Sequence, residues 1–288
     1  METILKKDKF LELFIRVVFV IGLISLSVAI VMFVAYNWDG LSRFEKFAIA
    51  QGAFALPILI LMFVKNPIIK EVLLFSASIL IGANLALIGQ VYQSGADSWQ
   101  LFALWAMLLL PFIYAQKSTS IYLLFIVIVN LSIYLYYDIY RWFYYYLGYS
   151  YLLIALALNT IFWLFSVTIK NRLLEVILAI AIIVQATIFA INNITNINSQ
   201  SWLIIIYLAY MAAIYYFYRV KSLNMFYMQL FIISINVTFI VWASYHIFSK
   251  TKGSGAMIIS SFIMLGVLMT SSYFSYKWIE RLKEEIDD

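Results

Sequence analysis

The stretch from residue 82 to residue 105, GANLALIGQVYQSGADSWQLFALW, decides how the rest of the chain is interpreted. It begins as an apolar segment, passes through a short run that is rich in amide side chains, and continues as a second apolar segment. Apolar segments of about 20 residues that are separated by short polar turns are typical of transmembrane helices. The stretch therefore predicts the end of one membrane span, a tight connection and the start of the next span.

The composition of the chain also indicates a membrane protein. Of its 288 residues, 65% are hydrophobic and 11% are charged, whereas a soluble domain carries about 25% charged residues. The chain is therefore expected to lie in a lipid bilayer, which is its first predicted partner. The Lys and Arg residues are scattered singly between apolar runs, so the net charge of +5 does not indicate nucleic-acid binding.

Cysteine and histidine limit the chemistry that the chain can perform. The sequence has no cysteine and a single histidine, His246. This excludes disulfides, a thiolate nucleophile and a metal site built from several histidines of one chain. A Gly-rich phosphate-binding loop is also missing from the sequence. We therefore expect no metal and no cofactor, and we assign no catalytic residue.

Apolar segments of about 20 residues predict the fold class, which is an all-α polytopic bundle of ten transmembrane helices. The loops between them are short and leave no room for a soluble domain. The predicted helices cover residues 15–36, 45–64, 72–91, 99–115, 120–137, 148–169, 173–192, 202–218, 225–248 and 256–275.

The distribution of basic residues predicts how these helices are oriented. If the N-terminus is cytoplasmic, the cytoplasmic segments hold fourteen of the 19 Lys and Arg residues. Cytoplasmic loops of membrane proteins carry an excess of Lys and Arg, so both termini are predicted to be cytoplasmic. The five basic residues on the outer side are Arg43, Lys46, Arg141, Lys250 and Lys252.

Two of the predicted outer connections resemble each other. The pattern G-x-[S/D]-x-[F/W]-[E/Q]-x-F-A starts at Gly40 and again at Gly95. Each copy contains a predicted capping box, in which the cap side chain and the side chain three residues later satisfy free backbone N–H groups. The first box pairs Ser42 with Glu45, and the second pairs Asp97 with Gln100. Each following helix also contains one proline, Pro57 or Pro111, which is expected to kink it.

The similarity between the two connections predicts a tandem hairpin repeat in the first four helices. We divide the chain accordingly into a four-helix N-terminal region, residues 1–118, and a six-helix C-terminal membrane region, residues 119–288. Transporters commonly place a binding site where the interrupted helices of two repeats meet. Good helix-end chemistry alone is an equally simple explanation of the two caps.

The same residues resemble those of a known family, the bacterial membrane family called domain of unknown function 2157. The resemblance covers roughly residues 10–118. It implies a multi-pass bacterial membrane protein with this hairpin pair at its N-terminal end, and it implies no reaction. The matching motif comprises residues 82–92, Gly95, Asp97, Trp99, Leu104 and Trp105, and Asn37, Trp38 and Asp39 resemble the family's opening loop.

Two further segments are expected to lie at the membrane surface. Residues 134–151 contain nine tyrosines, and tyrosine gathers at the headgroup level of bilayers. An aromatic platform for a sugar or a lipid is the functional alternative for this segment. In the C-terminal tail, Trp278, Ile279, Leu282 and Ile286 share one helical face, so the tail is predicted to extend the last helix.

Polar side chains of the two hairpin repeats form the candidate ligand-binding site. Amides inside membrane spans usually bond a neighbouring helix, but those near one depth can also bind a solute. We predict that the site opens to the outer face between the second, third and fourth helices. Its candidate ligand-binding residues are Gln51, Asn84, Gln90, Tyr92, Gln93, Asp97, Trp99 and Gln100, and its rim is formed by Asp39, Arg43 and Glu45.

Three functions remain open from the sequence. The first is the binding, with or without transport, of a small polar solute or a lipid headgroup. The second is a non-transporting scaffold that docks a membrane or periplasmic protein partner. The third is an envelope transferase for lipid or sugar groups, in which Asp39 and Asp97 serve as acid and base; an enzyme is the less favoured interpretation.

Overall fold

The computed structural model describes residues 18, 21–22, 25, 29, 32–33, 36, 40–92, 95–140, 150–195, 203–220, 225–248 and 254–287. Over the continuous ranges the chain forms nine α-helices. They are α1 (Arg43–Phe63), α2 (Pro67–Tyr92), α3 (Ser98–Ala115), α4 (Thr119–Ile139), α5 (Ser150–Thr168), α6 (Arg172–Thr195), α7 (Leu203–Val220), α8 (Met225–Phe248) and α9 (Ser254–Asp287).

The helical membrane architecture predicted from the sequence is confirmed. Eight of these nine helices are long and apolar enough to cross a membrane, and α7 is a shorter apolar helix. Each of the nine starts within five residues of its predicted start. The described residues from 18 to 36 are helical, but the bounds of the predicted helix at 15–36 lie outside the described residues. The total of ten helices and the orientation stay predictions.

The chain divides into two compact units, Met1–Tyr146 and Leu147–Asp288, called unit 1 and unit 2 below. Unit 1 contains α1 to α4, and so extends beyond the predicted region 1–118. It takes in α4 because the side chains of α4 complete the core of the unit. That core joins Ile81 of α2, Ala106 and Leu109 of α3, and Ile128 of α4.

Helix α2 is the most buried helix of unit 1, because it packs against both α1 and α3. It lies close to α3 at Gly82, where a Cβ atom would be only 2.5 Å from the Trp105 ring. The Trp105 indole N–H donates to the carbonyl of Ser78 at 2.8 Å. Glycine is therefore required at position 82 for steric reasons, and Trp105 fills the space between the two helices.

The first predicted capping box is confirmed and the second is wrong. At α1, the Glu45 N–H donates to Ser42 Oγ at 3.3 Å, and the Ser42 N–H donates to Glu45 Oε2 at 2.7 Å. At α3, Asp97 occupies the cap position, but its side chain makes no capping hydrogen bond. The Asp97 carboxylate instead accepts hydrogen bonds from the side chains of Trp99 and Tyr140.

The two predicted prolines lie inside helices, Pro57 in α1 and Pro111 in α3. Each lacks the backbone N–H that a helix interior uses, so the carbonyl four residues earlier has no helical partner there. The kinks expected at these positions stay predictions. The two copies of the predicted repeat therefore share the position of the helix start and of the proline, but they do not share the capping box.

Unit 2 is built around α6, whose buried face contacts α5, α7 and α8. Its interior contains hydroxyl groups that bond across helices. The hydroxyls of Tyr207 and Ser234 lie 2.9 Å apart, and Thr238 donates to Tyr207 at 3.1 Å. The Asn159 amide donates to Gln185 Oε1 at 3.0 Å. These polar groups of unit 2 are thus hydrogen-bonded within its own bundle, as buried polar groups generally require.

The last helix, α9, packs along α8 and continues to Asp287. The predicted helical extension of the tail is confirmed. Asn236 of α8 bonds two serines of α9, because its amide group donates to Ser275 and its carbonyl oxygen accepts from Ser271. This interhelical use of Asn236 is the role that sequence reasoning favours for amides in membrane spans.

Candidate functional site

One end of unit 1 joins a carboxylate to several aromatic rings. The carboxylate belongs to Asp97, at the start of α3, and the rings belong to Trp99 of α3 and to Tyr136 and Tyr140 at the end of α4. We call these four residues the Asp97 cluster. The start of α3 and the end of α4 lie side by side because the two helices are antiparallel neighbours that pack along their length.

The Asp97 carboxylate uses one of its two oxygens for hydrogen bonds within the cluster. Oδ2 accepts from Trp99 Nε1 at 3.3 Å and from the Tyr140 hydroxyl at 3.3 Å. Oδ1 accepts no hydrogen bond from any described residue. Asp97 is partly exposed, so Oδ1 remains available to a ligand while Oδ2 holds the rings in place.

The rings of the cluster pack against one another. Trp99 meets Tyr136 edge to face, with ring centroids 5.1 Å apart, and Tyr136 lies 4.8 Å from Tyr140. The Ser132 hydroxyl donates to the Trp99 carbonyl at 3.0 Å, which ties the first turn of α3 to α4. Tyr140 remains 37% exposed. The cluster therefore presents a partly exposed carboxylate beside rings whose positions are fixed.

The charged group of the cluster is the Asp97 carboxylate. Asp97 makes no ion pair with a described basic residue, and the last turn of α4 contains no basic residue. The C-terminus of a helix carries a partial negative charge and several carbonyls without helical partners. The N-terminus of α3 carries the opposite partial charge. Among the described groups, a ligand at this position meets the Asp97 carboxylate, the negative end of α4 and the positive end of α3.

Among the predicted amides, Asn84 has a structural role. Its amide group donates to the carbonyl of Ala50 at 3.1 Å and to that of Leu80 at 2.9 Å. The first bond joins α2 to α1 and the second lies within α2. Both amide hydrogens are occupied, so a ligand can bind Asn84 only by breaking these bonds.

The described glutamines of the predicted site differ from Asn84 in their exposure and hydrogen bonding. Gln51, Gln90 and Gln100 are exposed, and their side chains make no hydrogen bond to other described residues. No described contact joins the three to one another. Tyr92 is 66% exposed and packs its ring 5.8 Å from the ring of Phe47. The structure thus assembles Asp97 and Trp99 into one cluster and leaves the three glutamines as separate exposed amides.

The predicted rim is described only in part. Arg43 and Glu45 are exposed in the first turn of α1, and Glu45 is engaged in the capping box. Gln93 and Asp39 lie outside the described residues. The separation of the Asp39 and Asp97 carboxylates, on which a transferase mechanism depends, is therefore not described either.

Glu71 is a carboxylate of unit 1 that the sequence analysis does not single out. Its Oε1 accepts from the Ser120 hydroxyl at 3.2 Å and also from the Ser118 hydroxyl. Ser118 caps α4 by accepting from the Ser120 N–H. Glu71 lies at the opposite end of α4 from the Asp97 cluster, and forty-seven residues separate it from Ser118 in sequence. No local pattern reveals a contact over that separation.

Two cavities among the described residues differ in lining. The cavity between α3 and α4 has a volume of about 280 Å³ and is apolar apart from Ser132. The groove between α8 and α9 has a volume of about 390 Å³ and contains Asn236, Ser271 and Ser275, which bond one another. None of the predicted ligand-binding residues lines either cavity. Over the described ranges, no group of three or more His, Asp and Glu residues is placed to hold a metal ion.

Comparison with known proteins supports the resemblance found in the N-terminal region. No curated protein and no solved structure matches the chain. A family model described as "Predicted membrane protein (DUF2157)" matches residues 2–122, which include α1 to α3 and the start of α4. The matched region contains Asp97 and Trp99 but ends before Tyr136 and Tyr140. Residues 2–122 of the chain are thus similar to this predicted membrane protein family.

Proposed function

We propose that the protein is a multi-pass protein of the bacterial inner membrane that binds a small polar ligand, either a solute or a lipid headgroup, at the Asp97 cluster. The observation that carries the proposal is the free Oδ1 of Asp97, which lies beside rings held by hydrogen bonds to the other oxygen. Carboxylates that remain partly exposed next to aromatic rings at a helix end are suited to recognising a polar group at the bilayer surface.

The charge pattern of the sequence supports an outward-facing cluster. With both termini in the cytoplasm, the connection between α2 and α3 and the end of α4 face away from the cytoplasm. The loops on that side hold five of the 19 basic residues, as the positive-inside rule requires. The Asp97 cluster then lies at the outer headgroup level, where the nearby tyrosines also favour the interface.

The packing of unit 1 supports binding in preference to passage across the bilayer. Trp105 fills the contact between α2 and α3 at Gly82, and the Asn84 amide is bonded to backbone carbonyls of α1 and α2. The core around them is apolar, with Ile81, Leu109 and Ile128 buried. A polar ligand that followed this route would have to displace a tryptophan and break two hydrogen bonds.

Native mass spectrometry of the purified full chain tests the proposal. The probes are phosphatidylethanolamine, phosphatidylglycerol and cardiolipin, offered singly, together with a panel of small polar solutes. We expect one of them to remain bound to the wild type and to be lost from the Asp97→Ala and Trp99→Ala variants. Glu71→Ala is the matched control, because it removes a carboxylate of the same unit at the other end of α4. Equal retention by wild type and Asp97→Ala, or no retained molecule at all, would contradict the proposal.

A docking scaffold is the second candidate, and Gln51 is the observation that favours it. Gln51 lies eight residues into α1, about 12 Å from its start at 1.5 Å per residue, and its exposed amide bonds no described residue. Amides inside a membrane commonly bond a neighbouring helix, so a transmembrane helix of another protein is the expected partner. A photo-crosslinker at position 51 should then give one protein adduct of defined mass in cells, whereas a crosslinker at the exposed Gln229 should not. Only lipid adducts at position 51 would count against docking there.

A further inference from the structure

We propose that the group recognised by the Asp97 cluster is an ammonium group, either on a lipid headgroup or on a free amine. This inference rests on the proposed function and narrows it to one ligand charge. It follows from three features of the cluster that act on the same point: a free carboxylate oxygen, the end of α4, and the faces of fixed aromatic rings.

The first feature is the unbalanced charge of Asp97. Its two hydrogen-bond donors, the Trp99 indole and the Tyr140 hydroxyl, are both neutral, and no described basic residue pairs with it. A carboxylate at the edge of a bilayer is more stable when an opposite charge is close, because the local dielectric constant is lower than that of water. Oδ1 provides the acceptor that an N–H or a polarised N–CH₃ group needs.

The second feature is the C-terminal end of α4. The backbone N–H of Tyr140 donates to the carbonyl of Tyr136 at 3.1 Å and closes the helix. The last carbonyls of the helix point towards the same end as the Tyr140 side chain, and no basic residue of that turn neutralises them. A cation is attracted by these groups, whereas a phosphate or a carboxylate is repelled.

The third feature is the set of rings. A cation over the face of tryptophan or tyrosine, within about 6 Å of the ring centroid, is attracted by the negative charge of that face. The Tyr136 and Tyr140 rings are tilted by 46° and lie 4.8 Å apart, so they present two differently oriented faces. Their hydrogen bonds and ring contacts hold them in place before a ligand binds, which lowers the entropic cost of binding.

A neutral ligand does not explain the arrangement equally well. A sugar would use donors and acceptors in similar numbers, but the Trp99 N–H and the Tyr140 O–H already bond Asp97 Oδ2. Asp97 Oδ1, the ring faces and the carbonyls at the end of α4 remain for a ligand. These groups offer negative charge, which matches an ammonium group.

Saturation-transfer NMR with the purified full chain tests this inference, using choline and its neutral isostere 3,3-dimethylbutan-1-ol as probes. The wild type should bind choline, and the neutral isostere should bind about tenfold or more weakly, the ratio that one charge-assisted contact gives. Asp97→Asn should reduce choline affinity by a similar factor. Glu71→Gln, the matched loss of a carboxylate at the other end of α4, should leave the affinity unchanged.

Two variants of Tyr140 separate the roles of the ring and the hydroxyl. Tyr140→Phe keeps the ring face and loses only the hydrogen bond to Asp97 Oδ2, so choline affinity should fall much less than in a variant without the ring. Tyr140→Leu removes the ring face and should reduce the affinity by about threefold or more. Equal losses in both variants, with both proteins folded, would contradict the cation–π contribution.

The source of the ammonium group is tested by repeating the titration in nanodiscs. If a lipid supplies it, phosphatidylcholine nanodiscs should suppress choline binding relative to phosphatidylglycerol nanodiscs; if a free amine supplies it, both should give the same affinity. Equal binding of choline and its neutral isostere, or absence of choline binding in every medium, would overturn the inference. Retention of a neutral or anionic molecule that depends on Asp97 would overturn only this inference and would leave the proposed function intact.

Discussion

The two units use their polar side chains differently. In unit 2, polar groups bond partners on neighbouring helices, as in the pair Asn159–Gln185 and in the hydroxyl cluster around Tyr207. In unit 1, Asn84 is used in the same way, but one oxygen of Asp97 and the amides of Gln90 and Gln100 make no hydrogen bond to described residues. These polar groups of unit 2 stabilise its bundle, whereas we propose that those at one end of unit 1 serve in recognition.

The largest effect on stability is expected at Gly82 in unit 1. Gly82→Ala would place a methyl group 2.5 Å from the Trp105 ring, and overpacking of this kind costs about 1–3 kcal/mol. Thermal unfolding of the purified protein should show a clearly lower midpoint. Gly89→Ala on the same helix is the matched control, because a Cβ there meets nothing within 4 Å. Equal midpoints for the two variants would show that the Trp105 contact does not hold α2 and α3 together.

The next effect is expected in unit 2 at Tyr207. Tyr207→Phe removes a buried hydroxyl that lies 2.9 Å from Ser234 Oγ and accepts from Thr238, at a cost of about 1–2 kcal/mol. Choline binding should not change, because the hydroxyl belongs to the interior of unit 2. Tyr216→Phe, at a tyrosine that is 68% exposed, should leave both stability and binding unaltered. A loss of binding without a loss of stability at Tyr207 would reverse the assignment of roles to the two units.

A smaller loss of stability is expected at Asn84. Asn84→Leu keeps a similar volume and removes the hydrogen bond to Ala50, and interhelical bonds of this type contribute roughly 0.6–2 kcal/mol. Measured ligand binding at the Asp97 cluster should stay within the error of the wild type after correction for folded protein. If ligand binding falls while the amount of folded protein stays the same, Asn84 belongs to the site and its bond to α1 is a feature of the unliganded state.

The smallest effects on stability are expected at the exposed site residues. If Gln90 and Tyr92 also contact the ligand, as the sequence predicts, Gln90→Ala and Tyr92→Ala should lower ligand binding. Neither should lower the amount of protein in the membrane, because exposed substitutions usually change stability by no more than about 0.5 kcal/mol. Gln229→Ala, an exposed glutamine of unit 2, is the control for both measurements. A collapse of membrane abundance in Gln90→Ala would show that the connection between α2 and α3 has a structural role.

Hydrophobic segment length was sufficient to predict the helices of both units. The start of α1 was also predictable, because Ser42 and Glu45 are three residues apart and their interaction is local. The role of Asp97 was not predictable in this way. Its carboxylate bonds Tyr140, forty-three residues later in the chain, and this tertiary contact replaces the local cap.

The same distinction applies to Gly82 and Glu71. The motif around Gly82 was visible in the sequence, but the reason for glycine is the ring of Trp105 on the next helix. Glu71 reads as an ordinary carboxylate at the start of a span, and its two serine partners lie beyond the next helix. Local patterns thus predicted the elements, whereas the contacts that define the candidate site depend on how α2, α3 and α4 pack.

Site-specific labelling at the two ends of α3 tests the central claim most directly. The chain contains no cysteine, so Gln100→Cys and Lys117→Cys each provide a single reactive thiol at an exposed position. In intact cells, a membrane-impermeant maleimide should label Gln100→Cys, beside the Asp97 cluster, and should label Lys117→Cys only after the membrane is opened. Labelling of Lys117→Cys in intact cells, with Gln100→Cys protected until the membrane is opened, would contradict the outward-facing site.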